Sequence, residues 1–265
     1  MKPNNTYKLI LAGLLLLSVL ACNGTFTADF STPTSPVPIA SATLPATANP
    51  PFVISSGVLN ETGQNSEYTV NVQFPTISDN NDPRAQAFNN EIQAHLQPQL
   101  ADFKRAVAET PKDPTFAASE LTGKYTLILQ TATVVSIKFE FLVYISGAAH
   151  PYQIMTTVNY DLAQSRQLGL NELFLPNSNY LEVISNYCIA ELKKLNVGFD
   201  EVSAAGAAPT PENYEDWNIA ADSLTITFDQ YQVAPGASGS QTVLIPYSEL
   251  QAVINPQGPL AGVIP

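Results

Sequence analysis

Apolar residues in this chain recur with two different periods, and the places where the period changes outline its elements. An unbroken apolar run over residues 9–21 comes first, preceded by Lys2 and Lys8. Tyr68, Val70, Val72 and Phe74 then alternate with polar neighbours, the two-residue period of a half-buried strand. Phe88, Ile92, Leu96, Leu100, Phe103 and Val107 recur every three or four residues, which predicts a helix of roughly 25 residues with one buried stripe. Asp82 is placed to cap that helix, Pro83 suits its first position, and Pro98 is expected to kink it. Residues 121–131 and 133–145 read as two long strands, the second with Val135, Ile137, Phe139, Phe141, Val143 and Ile145 on one face. Residues 153–162 read as a third. A second helix is predicted over 178–195, capped by Asn177, with Tyr180, Ile184, Cys188 and Leu192 as its stripe. Leu224, Ile226 and Phe228, then Thr242–Ile245, form two more alternating strands, and 248–254 a short closing helix. This order predicts an α+β fold in two parts, with antiparallel sheets each covered by a helix.

The apolar run is 13 residues long, too short for a bilayer span of about 20 residues and typical of a secretory signal. Its ending, Val19-Leu20-Ala21-Cys22, resembles the lipobox of bacterial lipoproteins, in which the cysteine takes a diacylglyceryl group and becomes the first mature residue. The expectation is a signal peptide over 1–21 and a membrane anchor at Cys22; the bland alternative is a plain signal with a chance cysteine. Residues 22–51 follow as a tether with six prolines, too poor in large apolar groups to offset their ordering entropy. The folded part then divides into 52–118 and 119–265. The protein is expected on the extracytoplasmic face of the cell membrane, or at an outer membrane where one exists.

Removal of Lys2 and Lys8 with the signal takes the net charge from −12 to −14, and no Lys or Arg follows Lys194. That balance excludes nucleic acid and favours basic partners, or serves solubility alone. Catalytic chemistry is hard to find. Cys188 has no partner once Cys22 is lipidated and reads as a small buried apolar group. His150 lies four residues after Ser146, but no GxSxG surrounds the serine, and a turn histidine is the plainer reading. Two separated histidines imply no metal site, and no cofactor is implied. Glu215 and Asp216, between Tyr214 and Trp217, are the best candidates for a carboxylate pair, against the plainer reading of an exposed acidic loop.

Several stretches carry a family resemblance. They are Ser146-Gly147-Ala148-Ala149-His150-Pro151; Asn159–Leu162 with Leu168, Leu170, Leu173 and Phe174; Asp222–Gly239; and Val243–Leu250. In this order they resemble the extracellular domain shared by RsiV-type anti-sigma factors, receptors for lysozyme, and PdaC-type peptidoglycan deacetylases. Residues 66–100 are similar, more loosely, to the strand-and-helix part that precedes it. The sigma-binding segment and spanning helix of the first type, and the metal-binding deacetylase domain of the second, have no counterpart in this sequence. The resemblance therefore implies a non-catalytic module that binds a wall-related ligand, either a basic lysozyme-like protein or peptidoglycan. The loops holding His150 and Tyr152, and Tyr214, Asp216 and Trp217, are its expected contacts. A carboxylate-dependent wall hydrolase and a structural lipoprotein without a ligand are the alternatives.

Overall fold

The computed structural model describes residues 52–78, 81–195, 197–200 and 203–264. The signal, Cys22 and the tether through residue 51 lie outside the described residues.

Nine strands and three α-helices make up the described part. Strand β1 (Ile54–Thr62) and β2 (Tyr68–Ile77) form a hairpin, α1 (Pro83–Glu109) follows, and β3 (Ser119–Gln130), β4 (Val134–Tyr144), β5 (Tyr152–Asp161) and β6 (Arg166–Gln167) complete a six-stranded sheet in sequence order. Then come α2 (Tyr180–Lys194), a second sheet of β7 (Trp217–Ile219), β8 (Ser223–Phe228) and β9 (Gln241–Pro246), and α3 (Tyr247–Leu250). The two-part α+β architecture is thus as the periodicity implies, with one addition. Strand β3 pairs with β2 in parallel, Tyr68 opposite Ser119, while the other pairings are antiparallel. Helix α1 is the crossover that a parallel pair requires. The sheet consequently takes β1 and β2 from before, and β3 to β6 from after, the point between residues 118 and 119 where the sequence reading divides the chain.

Helix α1 begins as expected: Asp82 Oδ1 accepts from the Arg84 backbone N–H at 2.8 Å, filling one of the free donors of the first turn. Its six-residue stripe is buried, with Ala85 added. The helix continues through Pro98, which faces solvent with Ala94, so water can reach the carbonyl that lost its donor. Helix α2 starts later than the sequence implies. Asn179 occupies the cap position, while Asn177 sits at φ 61° in the turn before it.

Two cores lie on opposite faces of the large sheet. Helix α1 packs on one face against Val70, Val72, Leu121, Ile137, Phe139, Phe141 and Val158. The second core lies between α2 and the small sheet and takes in Ile184, Cys188, Leu192, Leu224, Ile226, Phe228, Val243 and Ile245. Among the described residues no helix is long and apolar enough to cross a membrane.

Candidate functional site

Because Ile137, Phe139 and Phe141 turn toward α1, their neighbours Ser136, Lys138 and Glu140 point from the opposite face of the sheet. Register places Asn159, Thr157 and Met155 of β5 beside them in that order. Strand β7 crosses this polar face, and its outer backbone groups bond to side chains. The Trp217 N–H donates to Thr157 Oγ1 at 3.1 Å, and Asn159 Nδ2 donates to the Trp217 carbonyl at 2.7 Å. The Ile219 N–H reaches Ser136 Oγ at 3.1 Å and Asn159 Oδ1 at 3.2 Å. Asn218 Nδ2 donates to Ser136 Oγ and to the Ile137 carbonyl, each at 2.9 Å. Ser136, Asn159 and Asn218 are fully enclosed or nearly so, and buried backbone groups need such partners.

At the end of this seam, two carboxylates lie along the free edge of β5. Asp216 accepts from Thr157 Oγ1 at 3.5 Å and lies near the Thr157 backbone N–H. Asp229 lies near the Met155 backbone, whose N–H favours its ionised form. Their docking points are two residues apart on one strand, about 7 Å at the usual rise. Partial burial, then the charges of Asp229 and Glu215, push the Asp216 carboxyl up to about 7. The Asp229 carboxyl is raised as well, chiefly because the group itself is tucked against the protein although the residue is exposed. Lys138 faces them from β4. Its half-buried ammonium is shifted down by desolvation, against the pull of Glu140 and Asp216, and donates to Thr242 Oγ1 at 3.3 Å.

Thr227 lies between these groups. Its backbone N–H donates to the Asp216 carbonyl at 2.8 Å, and Thr242 is its cross-strand neighbour. The residues flanking it, Ile226 and Phe228, enter the core, so its side chain points the other way, toward Asp216 and Lys138. It is 2% exposed, and its Oγ1 has no hydrogen-bond partner among the described residues.

The five ligand-contact residues expected from sequence are not brought together. Tyr214 and Trp217 are core residues, 1% and 5% exposed. The Tyr214 hydroxyl donates to the Ala207 carbonyl at 2.6 Å and its pKa is raised by burial. Of these three, only Asp216 turns to the edge of β5. His150 is exposed and donates from Nδ1 to the Pro151 carbonyl at 3.0 Å. Tyr152 begins β5, about 17 Å along the strand from Thr157, in a recess of about 330 Å³ with Asp102 and Arg105. Nearby, Ser146 and the exposed ring of Phe116 line another recess of about 320 Å³. Cys188 is fully buried, with its thiol pushed up to about 12 by burial, so it serves the core. Among the described residues no group of three or more His, Cys, Asp or Glu is placed to hold a metal. Lys138, Thr157, Thr227 and Asp229 are the site residues missed from sequence. The alternation that put Lys138 on the polar face of its strand was the available signal.

Comparison with known proteins gives two family matches. Residues 61–153 match the family described as deacetylase PdaC, and residues 171–248 match a family of proteins of unknown function, DUF3298. The chain is 27% identical over 212 residues to the peptidoglycan-N-acetylmuramic acid deacetylase PdaC of Bacillus subtilis, covering 76% of this chain and 45% of that protein. It is 29% identical over 104 residues to an esterase of Mycobacterium tuberculosis, covering 39% of this chain and 45% of the other. The chain thus spans about half the length of these two relatives. The crystal structure of a DUF3298 family protein from Pseudomonas aeruginosa superimposes with a TM-score of 0.56 at 17% identity, over 79% of this chain and 97% of that one.

Proposed function

From a chain that carries a domain of the PdaC/DUF3298 type, we propose a non-catalytic module that binds a cell-wall-related ligand outside the cell, held at the membrane by lipid on Cys22. The relationship to a peptidoglycan deacetylase supports the wall setting. The observation that carries the binding role is the pair Asp216 and Asp229, carboxylates gathered at a sheet edge in a strongly acidic protein. Such a surface favours a basic protein, with a lysozyme-like enzyme first and a peptidoglycan strand second. Titration calorimetry with a basic lysozyme and with soluble peptidoglycan fragments at low salt tests this: one of them binds. Absence of heat with both overturns the reading.

One observation favours a hydrolase instead. Asp216 and Asp229 lie beside alternate residues of β5 and raise each other's charge cost. Two neighbouring carboxyls of unequal acidity suit a step in which one protonates a leaving group while the other activates water. On that reading the chain releases reducing sugar from peptidoglycan and Asp216→Asn loses the activity. A wild-type chain that releases none removes it.

A further inference from the structure

We infer that two recesses at the end of helix α1 are neighbouring seats for the sugar rings of a neutral glycan strand, with Phe116 and Tyr152 as their platforms. The inference rests on the wall-ligand reading above and deepens its glycan branch. The first recess, of about 320 Å³, is lined by Asn65, Ser66, Val107, Phe116 and Ser146 among others. The second, of about 330 Å³, takes in Phe103, Ala106, Glu109, Val143 and Tyr152. Val107 follows Ala106 in the last turn of α1, and Ser146 lies three residues after Val143, so both spaces adjoin the same helix end and the same strand end. Each is at the small end of the range for ligand sites, roughly 300–1,000 Å³, which is the scale of a ring and not of a protein face.

Each recess carries an aromatic ring that folding leaves half in water, Phe116 at 53% exposed and Tyr152 at 44%. A methyl group on Gly147 would stand 3.6 Å from the Phe116 ring, so the turn there, at φ 82°, backs the ring without covering it. An aromatic face carries partial negative charge, which suits the C–H groups on one face of a pyranose. The hydroxyls at the sugar's edge then need donors and acceptors. Asn65, Ser66 and Ser146 supply them, since none of their side chains has a hydrogen-bond partner among the described residues. Asn65 and Ser66 hold φ 53° and 57°, where glycine would be less strained, yet the turn keeps polar side chains at the rim. The charged groups of the lining are mostly engaged. Lys112 pairs with Glu67 at 2.5 Å, Arg105 with Asp102 at 2.7 Å, and Asp113 accepts from the Thr115 N–H at 2.9 Å. Neutral groups, with Glu109 as a further acceptor, are left to meet a guest, and they complement hydroxyls better than an ion. The net charge of −12 also turns away anionic polymers.

The test is titration of the full chain with chitotetraose, a neutral β-linked tetrasaccharide, read by calorimetry and by amide shifts. Binding perturbs the amides of Asn65, Ser66, Phe116, Ser146 and Tyr152, is indifferent to salt, and is tighter for the tetrasaccharide than for the single sugar. Phe116→Ala weakens it about tenfold and Tyr152→Ala severalfold, while Phe116→Tyr, which keeps a ring, binds as wild type does. Ser66→Gly keeps the proposal open to refutation should an alanine variant misfold: it removes a hydroxyl from the rim, so binding weakens, and it relieves the turn, so the chain melts no lower than wild type. No heat with the tetrasaccharide, equal affinity in Phe116→Ala and wild type, or a shift pattern elsewhere on the chain overturns the proposal. If a basic lysozyme or peptidoglycan fragments bind wild type and Phe116→Ala/Tyr152→Ala equally, the two seats are wrong while the module reading stands. If none of these ligands binds wild type, the module reading falls with it.

Discussion

Asp216 and His95 are two partly buried titratable groups whose protonation pulls stability in opposite directions. The Asp216 carboxyl is raised from 3.8 to about 7. Between those values the folded chain keeps a proton that the unfolded chain has lost, so this stabilisation is full below pH 4 and disappears as pH rises to 7. His95 packs against Phe139, bonds Thr156 Oγ1 at 2.8 Å, and is lowered from 6.5 to about 4 by burial. Its contribution is full above 6.5 and is lost as pH falls toward 4. The two slopes therefore oppose each other from pH 4 to 6.5, and only the aspartate acts just above that window. Thermal melts across pH 4–8 are expected to show Asp216→Asn flattening the decline toward neutral pH, while His95→Gln flattens the decline toward acid. Sequence singled out Asp216 together with Tyr214 and Trp217. It missed that Tyr214 and Trp217 face inward, because an aromatic beside acids looks the same in sequence whether its strand lies under a helix or open to water.

Among the elements, those with long regular periods were legible: α1, β4, β5, β8 and β9 follow their apolar residues closely. Strand β1 escaped because its edge position leaves it mostly polar, and β7 because three residues define no period. The parallel pairing of β2 with β3 also escaped, since alternation reports which face is buried and not which strand lies alongside. What secures β7 was beyond sequence for a related reason: Ser136 is 82 residues from Asn218 and Asn159 is 58 from Trp217, and these partners meet only through the fold. Asn159 supports three bonds of this seam, to Trp217, Ile219 and Ser136. Asn159→Ala is expected to cost on the order of 3 kcal/mol, since each orphaned buried group carries its own penalty. Urea unfolding checks it, and a loss below about 0.5 kcal/mol shows that water replaces the amide without cost.

For the whole molecule, charge decides what the surface meets. The long stretch after Lys194 without Lys or Arg includes Glu215, Asp216 and Asp229, so the field around them is negative. A basic partner is expected to associate quickly at low salt and to slow as ionic strength passes about 0.1 M, where the screening length is near 10 Å. Stopped-flow association rates check this. A rate indifferent to salt means that the acidity serves solubility and does not steer. Composition showed this acidity at once, but not where it gathers, because Asp216 and Asp229 meet only after β7 and β8 have paired.

The polar seam under β7 has a consequence for the company this protein keeps. An outer strand normally offers a row of free amides and carbonyls on which another chain can template. Here Trp217 and Ile219 have already given those groups to Thr157, Ser136 and Asn159. On that side the small sheet is sealed against growth, so crowding brings no fibre from it.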